Sequence, residues 1–267
     1  MFPVIPAYES IKQQVVSISK SLRFGKFTNR LGRKLALSIE DAVSLALFKQ
    51  RQGIETKKSI YQIFRPTCSY KTLVVSLNRW FHLALAVVAL LLKRNRQSPH
   101  LIKHTDSTDI PVCLPKNARH HKTMREYAAW GHNGKGSFYG LKLHLTADLN
   151  RHILAVKFSS GNTDDRAMTL PLNRDLNGIF VADAGYVSAE LEKSFYREGQ
   201  RIILIKPKKN MRKLATAFDT WAYGTRMAIE IPFRNLKLFY GLLTSLPRSV
   251  AGYLANYTYS LLAYLLA

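Results

Sequence analysis

The stretch Ser137–Ala147 reads S-F-Y-G-L-K-L-H-L-T-A. Tyr139, Leu141, Leu143 and Leu145 recur at a period of two. Gly140, Lys142, His144 and Thr146 fall on the opposite face, which predicts a β-strand. Asp148–Asn150 reads as a turn and His152–Phe158 as a second strand, so the pair forms a hairpin. Working outward, His100–Thr108 reads as a short strand, and residues 114–136 form a polar, Gly-punctuated connection without a period. Gly161–Asn162–Thr163 opens a helix with Asp164 and Asp165 in its first turn. Ile179–Ala182 is apolar throughout, the mark of a strand covered on both faces. Ser188–Glu198 follows as a helix, Arg201–Ile205 as another buried strand, and helix resumes from Tyr223 to the terminus. This order predicts an α/β layer over residues 99–267: a mixed five-stranded sheet flanked by helices.

Residues 1–98 read as helical. Ser38 followed by Glu40 and Asp41 marks a helix start, and Ala42, Leu45, Ala46 and Phe48 supply its apolar face. Gly53 ends that helix. Thr56 caps a second one carrying Ile60 and Phe64 with the pair Lys57–Lys58, and Pro66 stops it. Two short helices across a turn fit a helix-turn-helix in which Lys57, Lys58 and Arg65 face phosphate; an ordinary helical bundle fits equally well. A third helix, Tyr70–Lys93, is apolar nearly all round after Leu77 and is therefore expected to be buried. The basic cluster Lys93–Arg96 and Ser98–Pro99 mark the domain boundary.

The 267 residues suit one large or two small domains. Lys and Arg number 40 against 17 Asp and Glu, a formal charge of +23. With 47% hydrophobic residues the chain is not disordered throughout. Such a charge calls for a polyanion, and nucleic acid is the expected partner. The longest uninterrupted apolar runs, Leu83–Leu92 and Leu261–Ala267, fall short of the ~18–20 residues of a membrane span. No signal peptide is visible, and Cys68 and Cys113 form neither a disulfide framework nor a zinc ligand set. The expectation is a reduced, cytoplasmic protein with no membrane partner.

Acidic residues stand out against this basic background. Asp106 ends a strand in H-T-D-S-T-D, and Asp183 follows a buried strand in F-V-A-D-A-G-Y, with Gly185 expected to let the chain turn closely beneath. Strand ends are where reactive groups gather in open α/β sheets. On a continuous helix, Tyr223, Arg226, Glu230, Phe233 and Lys237 span an arc of roughly 80° at 100° per residue. Read alone, Arg226 and Glu230 are equally an exposed i,i+4 ion pair. Three carboxylates meeting at one site would offer Mg²⁺ its preferred oxygen ligands, and two such ions can clamp both oxygens of a phosphodiester displacement.

Tyr223, two residues, Arg226, three residues, Glu230, six residues and Lys237 resemble the Tyr-Arg-Glu-Lys signature of bacterial insertion-sequence transposases. With D-S-T at Asp106 and D-A-G-Y at Asp183, residues 101–267 are similar to a DDE transposase with a ribonuclease-H-like catalytic domain. The similarity extends more loosely into the helical part around S-I-E-D-A-V-S-L-A-L. The resemblance implies a recombinase that binds the ends of its element, cleaves at the 3′ ends and joins them to target DNA. It implies Asp106, Asp183 and Glu230 as catalytic ligands of Mg²⁺ or Mn²⁺, two ions in all. It implies Tyr223, Arg226 and Lys237 as contacts to DNA phosphates, and a homodimer or larger synaptic assembly working in the bacterial cytoplasm at the nucleoid. Too few residues separate Asp183 from Glu230 for an inserted β-domain, and Pro232 is expected to kink the signature helix. Two other functions remain open: a ribonuclease-H-like endonuclease without strand transfer, and a catalytically silent DNA-binding relative.

Lys206, Lys208 and Lys209 form a basic run after the last strand and are expected to touch the DNA backbone. Asp109 reads as a turn residue, Asp164 and Asp165 as helix N-terminal acids, and His144 as a hydrogen-bonded sheet histidine.

Overall fold

The computed structural model describes residues 5–27, 34–134, 136–207 and 215–267. The chain divides into two units. One comprises Leu91–Arg234; the other joins Met1–Leu90 to Asn235–Ala267. The expected boundary at 98/99 lies close to the first division, whereas residues 235–267, expected in the second domain, group with the N-terminal residues. The last helix packs with the N-terminal helices because its buried face finds its partners there.

The first unit described here, Leu91–Arg234, is built on β3 (Gly136–Asp148). Its partners are β1 (Ile102–Cys113) along one edge, and β2 (Ala129–Asn133) and β4 (Ile153–Ser160) along the other, all antiparallel. β1 then pairs in parallel with β5 (Ile179–Ala182), and β5 with β6 (Ile202–Ile205). The result is a six-stranded mixed sheet flanked by helices, the ribonuclease-H-like architecture expected, with one strand more than predicted. β2 was hidden because its five residues, A-W-G-H-N, carry no run of buried apolar side chains.

Alternation along β5 explains why it is apolar throughout. Phe180 and Ala182 pack on one face with α6 (Asp165–Leu172) and α7 (Ala189–Gly199), through Leu172, Leu191 and Phe195. Phe180 and Phe195 meet edge-on at 4.9 Å between ring centroids, a contact worth about 0.5–1.5 kcal/mol beyond its buried area. Val181 packs on the other face with Ala222 of α8 (Ala217–Gly224). Gly178, at φ +101, makes the turn into β5 so close to the Leu101 carbonyl that a Cβ would sit 2.6 Å from it.

The helical unit holds α1 (Pro6–Leu22), α2 (Ile39–Arg51), α3 (Lys57–Phe64), α4 (Tyr70–Arg79) and α10 (Val250–Leu265). Ser38 and Thr56 cap α2 and α3 as expected, accepting from the N–H groups of Asp41 and Ser59. Tyr8, Phe48 and Phe64 meet pairwise at 4.8–6.0 Å and tie α1, α2 and α3 together. Gln50 on α2 donates to Asn256 of α10.

The helix expected over 70–93 is two, α4 and α5 (Phe81–Asn95), interrupted at Trp80. α5 is not buried all round: Leu85 and Leu90 are exposed. α2 is instead buried without a break from Ala42 to Gln50. By length and composition alone, the segment Tyr70–Asn95 suffices to cross a membrane, contrary to the expectation drawn from uninterrupted apolar runs; Leu73, Leu77, Val87 and Val88 are buried within the protein.

α2 also buries a charge. Lys49 is only 9% exposed, and burial lowers its pKa to about 8 against the small opposing pull of Glu55. Lys57 is lowered to about 8 by burial and by the Lys49 charge. An unfolded lysine keeps its ordinary value near 10.5, so between pH ~8 and ~10.5 the unfolded chain binds more protons and stability rises with pH. At pH 7 the full penalty is in force. Lys49→Met is therefore expected to raise unfolding stability at pH 7 by about 1–3 kcal/mol. It should also flatten the rise between pH ~8 and ~10.5, read by denaturant titration at a series of pH values.

Candidate active site

Strand register brings the first two carboxylates together. β1 and β5 pair in parallel from Ile102↔Ile179 to His104↔Val181. Continuing two residues along each strand places Asp106 level with Asp183, which follows the carboxyl end of β5; Asp106, expected to end its strand, lies instead within β1, which runs on to Cys113. Lys206 follows β6, its N–H donating to the Ala182 carbonyl, and so stands at the same edge.

Arg226 completes the cluster. Its three guanidinium nitrogens reach three different carboxylates. Nη2 lies 3.3 Å from Asp106 Oδ2, Nη1 2.8 Å from Asp183 Oδ2, and Nε 2.6 Å from Glu230 Oε1. The carboxylates 106, 183 and 230 thus share one cation. Residual space beside them, about 30 Å³ and lined by His104, Asp106, Asp183, Lys206, Tyr223 and Arg226, holds no more than a water or an ion. Among the described residues, no three or more His, Cys, Asp or Glu side chains are grouped so as to hold a metal ion directly; here the guanidinium lies between the acids.

Each acid has its own electrostatic setting. Burial pushes the Asp106 carboxyl up to about 6, with Asp183 adding to it, against the Ser107 N–H and the Arg226 charge. Asp183 goes the other way. Burial alone would raise it, but the Arg226 hydrogen bond, the Ala184 N–H and the charges of Arg226 and Lys206 hold it below the ordinary range. His104 is lowered to about 4 by burial and by Arg226, and so is neutral at pH 7. Its Nε2 lies 2.9 Å from Thr225 Oγ1, whose own hydrogen goes to the Ala222 carbonyl. His104 Nε2 is therefore the donor.

The expected continuous helix from Tyr223 is broken. α8 ends at Gly224 and α9 spans Met227–Leu238, with Thr225 and Arg226 between. Helical angles alone overlook the Thr225 hydroxyl, which caps the Ala222 carbonyl and stops the first helix. Tyr223 therefore sits on α8, and its hydroxyl donates to the Ile205 carbonyl at 3.0 Å. α9 runs through Pro232 and carries Glu230 in its first turn and Lys237 in its last.

Of the other expected contacts, Lys57 is half-buried with its ammonium on Asn78, whereas Lys58 is exposed; both belong to the helical unit. Lys208 and Lys209 lie outside the described residues. Asp109 is within β1, opposite Lys142, and not in a turn. Gly185 faces open space, so no close approach requires it. Asp164 caps α6, and His144 bonds Ser159 within the sheet. Sequence reasoning missed His104, two residues before Asp106 on the same strand face, although the period of two was the signal. It also missed Tyr186, the buried tyrosine of D-A-G-Y, whose hydroxyl is held in its neutral form by burial and by the nearby Asp106 charge.

Comparison with known proteins bears on the same segment. The family model described as the transposase DDE domain matches residues 96–248, more than half the chain. No curated protein sequence matches. Among solved structures, the piggyBac transposase synaptic complex with hairpin DNA is similar at a TM-score of 0.44 and 10% identity, over 77% of this chain and 50% of that one. The chain thus spans half the length of that relative. The Mos1 mariner paired end complex with Mn is similar at a TM-score of 0.28 and 12% identity, over 93% of this chain and 83% of that one. On the extent of the family match, the chain belongs to the transposases that carry a DDE domain.

Proposed function

We propose that the chain cleaves DNA at the ends of an insertion element and joins the freed 3′ ends to target DNA, with Asp106, Asp183 and Glu230 as its catalytic carboxylates. The observation that carries this reading is the convergence of those three acids on the Arg226 guanidinium, where Asp106 of β1 stands level with Asp183 just past β5. The donor set suits a divalent metal: oxygens only, already gathered around one positive charge, with Asp106 buried enough to demand a cation beside it. When bound there, Mg²⁺ or Mn²⁺ supplies an activated oxygen nucleophile and neutralises charge on the leaving oxygen.

The chain's own groups do the positioning. Arg226 and Lys206 sit at the carboxylates, where they hold the non-reacting phosphate oxygens, Arg bidentately and Lys as a point charge. Neutral His104 and the Tyr223 hydroxyl, fixed on Thr225 and Ile205, keep the two sides of the crevice in place. The +23 charge draws the DNA in, with an affinity that falls steeply with salt. Lys237, on the family resemblance, is a further contact to DNA phosphate. The protein works as a homodimer or larger assembly, since two element ends are processed together.

Incubating the protein with end-containing duplex and Mg²⁺ or Mn²⁺ should give nicks at the element ends. Asp106→Asn, Asp183→Asn and Glu230→Gln should each reduce nicking at least ~100-fold while leaving DNA binding within about threefold. Equal nicking by wild type and Glu230→Gln would overturn the assignment. Nicking without joining to target favours the endonuclease, and binding without nicking favours the silent relative. Arg226→Gln separates the structural role of the guanidinium from its catalytic one. Without metal, its thermal midpoint should fall, because three carboxylates lose their shared counter-charge. Millimolar Mg²⁺ should then raise that midpoint more than it raises the wild type's.

A further inference from the structure

Within the helical unit, a cavity of about 410 Å³ opens among α2, α3, α4 and the start of α10. That is the size range of small-molecule sites, ~300–1,000 Å³. Val74 and Leu77 of α4 give it apolar walls, and Tyr70 adds an aromatic ring 43% exposed. Its floor is cationic. Among the described residues, Lys49, nine-tenths buried, spends one donor on Gln50 Oε1 at 3.1 Å and keeps two. Lys57 lines the same space with its ammonium on Asn78. Among the described residues, no carboxylate lies within ion-pair distance of either lysine, and exposed Glu55 is the acid on the lining.

A buried ammonium without a counter-charge is costly, and two that repel each other are costlier. Two further features point to the same missing group. Among the described residues, the hydroxyl of Tyr259, which lines the cavity and is 3% exposed, has no hydrogen-bond partner. Lys57 and Lys58, which begin α3, and the α10 cap Ser249 with Gly252 also line it, so two helix N-termini add positive potential.

We propose that this cavity binds a single nucleotide unit, its phosphate held by Lys49 and Lys57 and its base lodged against Tyr70, Val74 and Leu77. An inorganic anion would satisfy the lysines and leave the apolar walls unfilled; an apolar ligand would leave the lysines unpaired. A nucleotide supplies both halves. It comes either free from solution or as an unpaired residue of a DNA strand. This site is independent of the carboxylate cluster and needs no divalent metal.

The full chain, in metal-free buffer with EDTA, is titrated by calorimetry with dAMP, inorganic phosphate and deoxyadenosine. We expect dAMP to bind at least tenfold tighter than either fragment. Lys49→Met should lose at least tenfold in dAMP affinity. Val74→Phe, which fills the cavity and keeps both charges, should do the same and serves if the lysine variant does not fold. Fluorescence anisotropy then compares a blunt duplex with one bearing a single unpaired 3′ nucleotide. Tighter binding of the overhang that is lost in Val74→Phe identifies DNA as the source; equal binding of the two duplexes, with dAMP still bound, identifies the free nucleotide. The proposal is overturned if dAMP binds no tighter than inorganic phosphate, or if both variants bind it as the wild type does.

Discussion

Three carboxylates held on one guanidinium are the constraint around which the sheet unit is arranged. A buried acid must be paired with positive charge or take up a proton, and the chain meets that demand from a separate element. Arg226 comes from the two-residue break between α8 and α9, while Asp106 and Asp183 come from neighbouring parallel strands. The break is therefore part of the site: it is where Thr225 caps one helix, receives the His104 hydrogen bond and precedes the Arg226 that reaches Asp106 and Asp183. A straight helix through Tyr223 would carry Arg226 on a different path.

The helical unit presents the opposite electrostatic problem. Its central helix is enclosed on nearly all sides and yet carries Lys49, whose charge lowers the affinity of nearby Lys57 for protons further. Acids in one unit share a resident cation; lysines in the other line an open cavity. In a chain of +23, the second arrangement is what an anion site requires.

Much of this was legible in local pattern. The alternation of Ser137–Ala147 gave the central strand, the apolar run Ile179–Ala182 a strand covered on both faces, and Ser38 and Thr56 the starts of two helices. These are properties of a few adjacent residues, set by side-chain period and by capping hydrogen bonds. β2 escaped because pairing with β3, not its own composition, makes it a strand. The single helix expected over 70–93 failed at Trp80, and the one expected from Tyr223 failed at Thr225. A uniform step of about 100° has no term for a side chain that stops a helix.

The sequence by itself determined the class of fold, the partner chemistry implied by net charge, and which acids were candidates, because each follows from composition or short-range spacing. Only the tertiary structure decided that β1 and β5 pair so that Asp106 and Asp183 stand level, and that one arginine bridges both to Glu230. It alone decided that residues 235–267 group with the N-terminal helices and that Lys49 lines a cavity. Strand register and helix docking are settled by contacts between residues far apart along the chain, and no local pattern contains them.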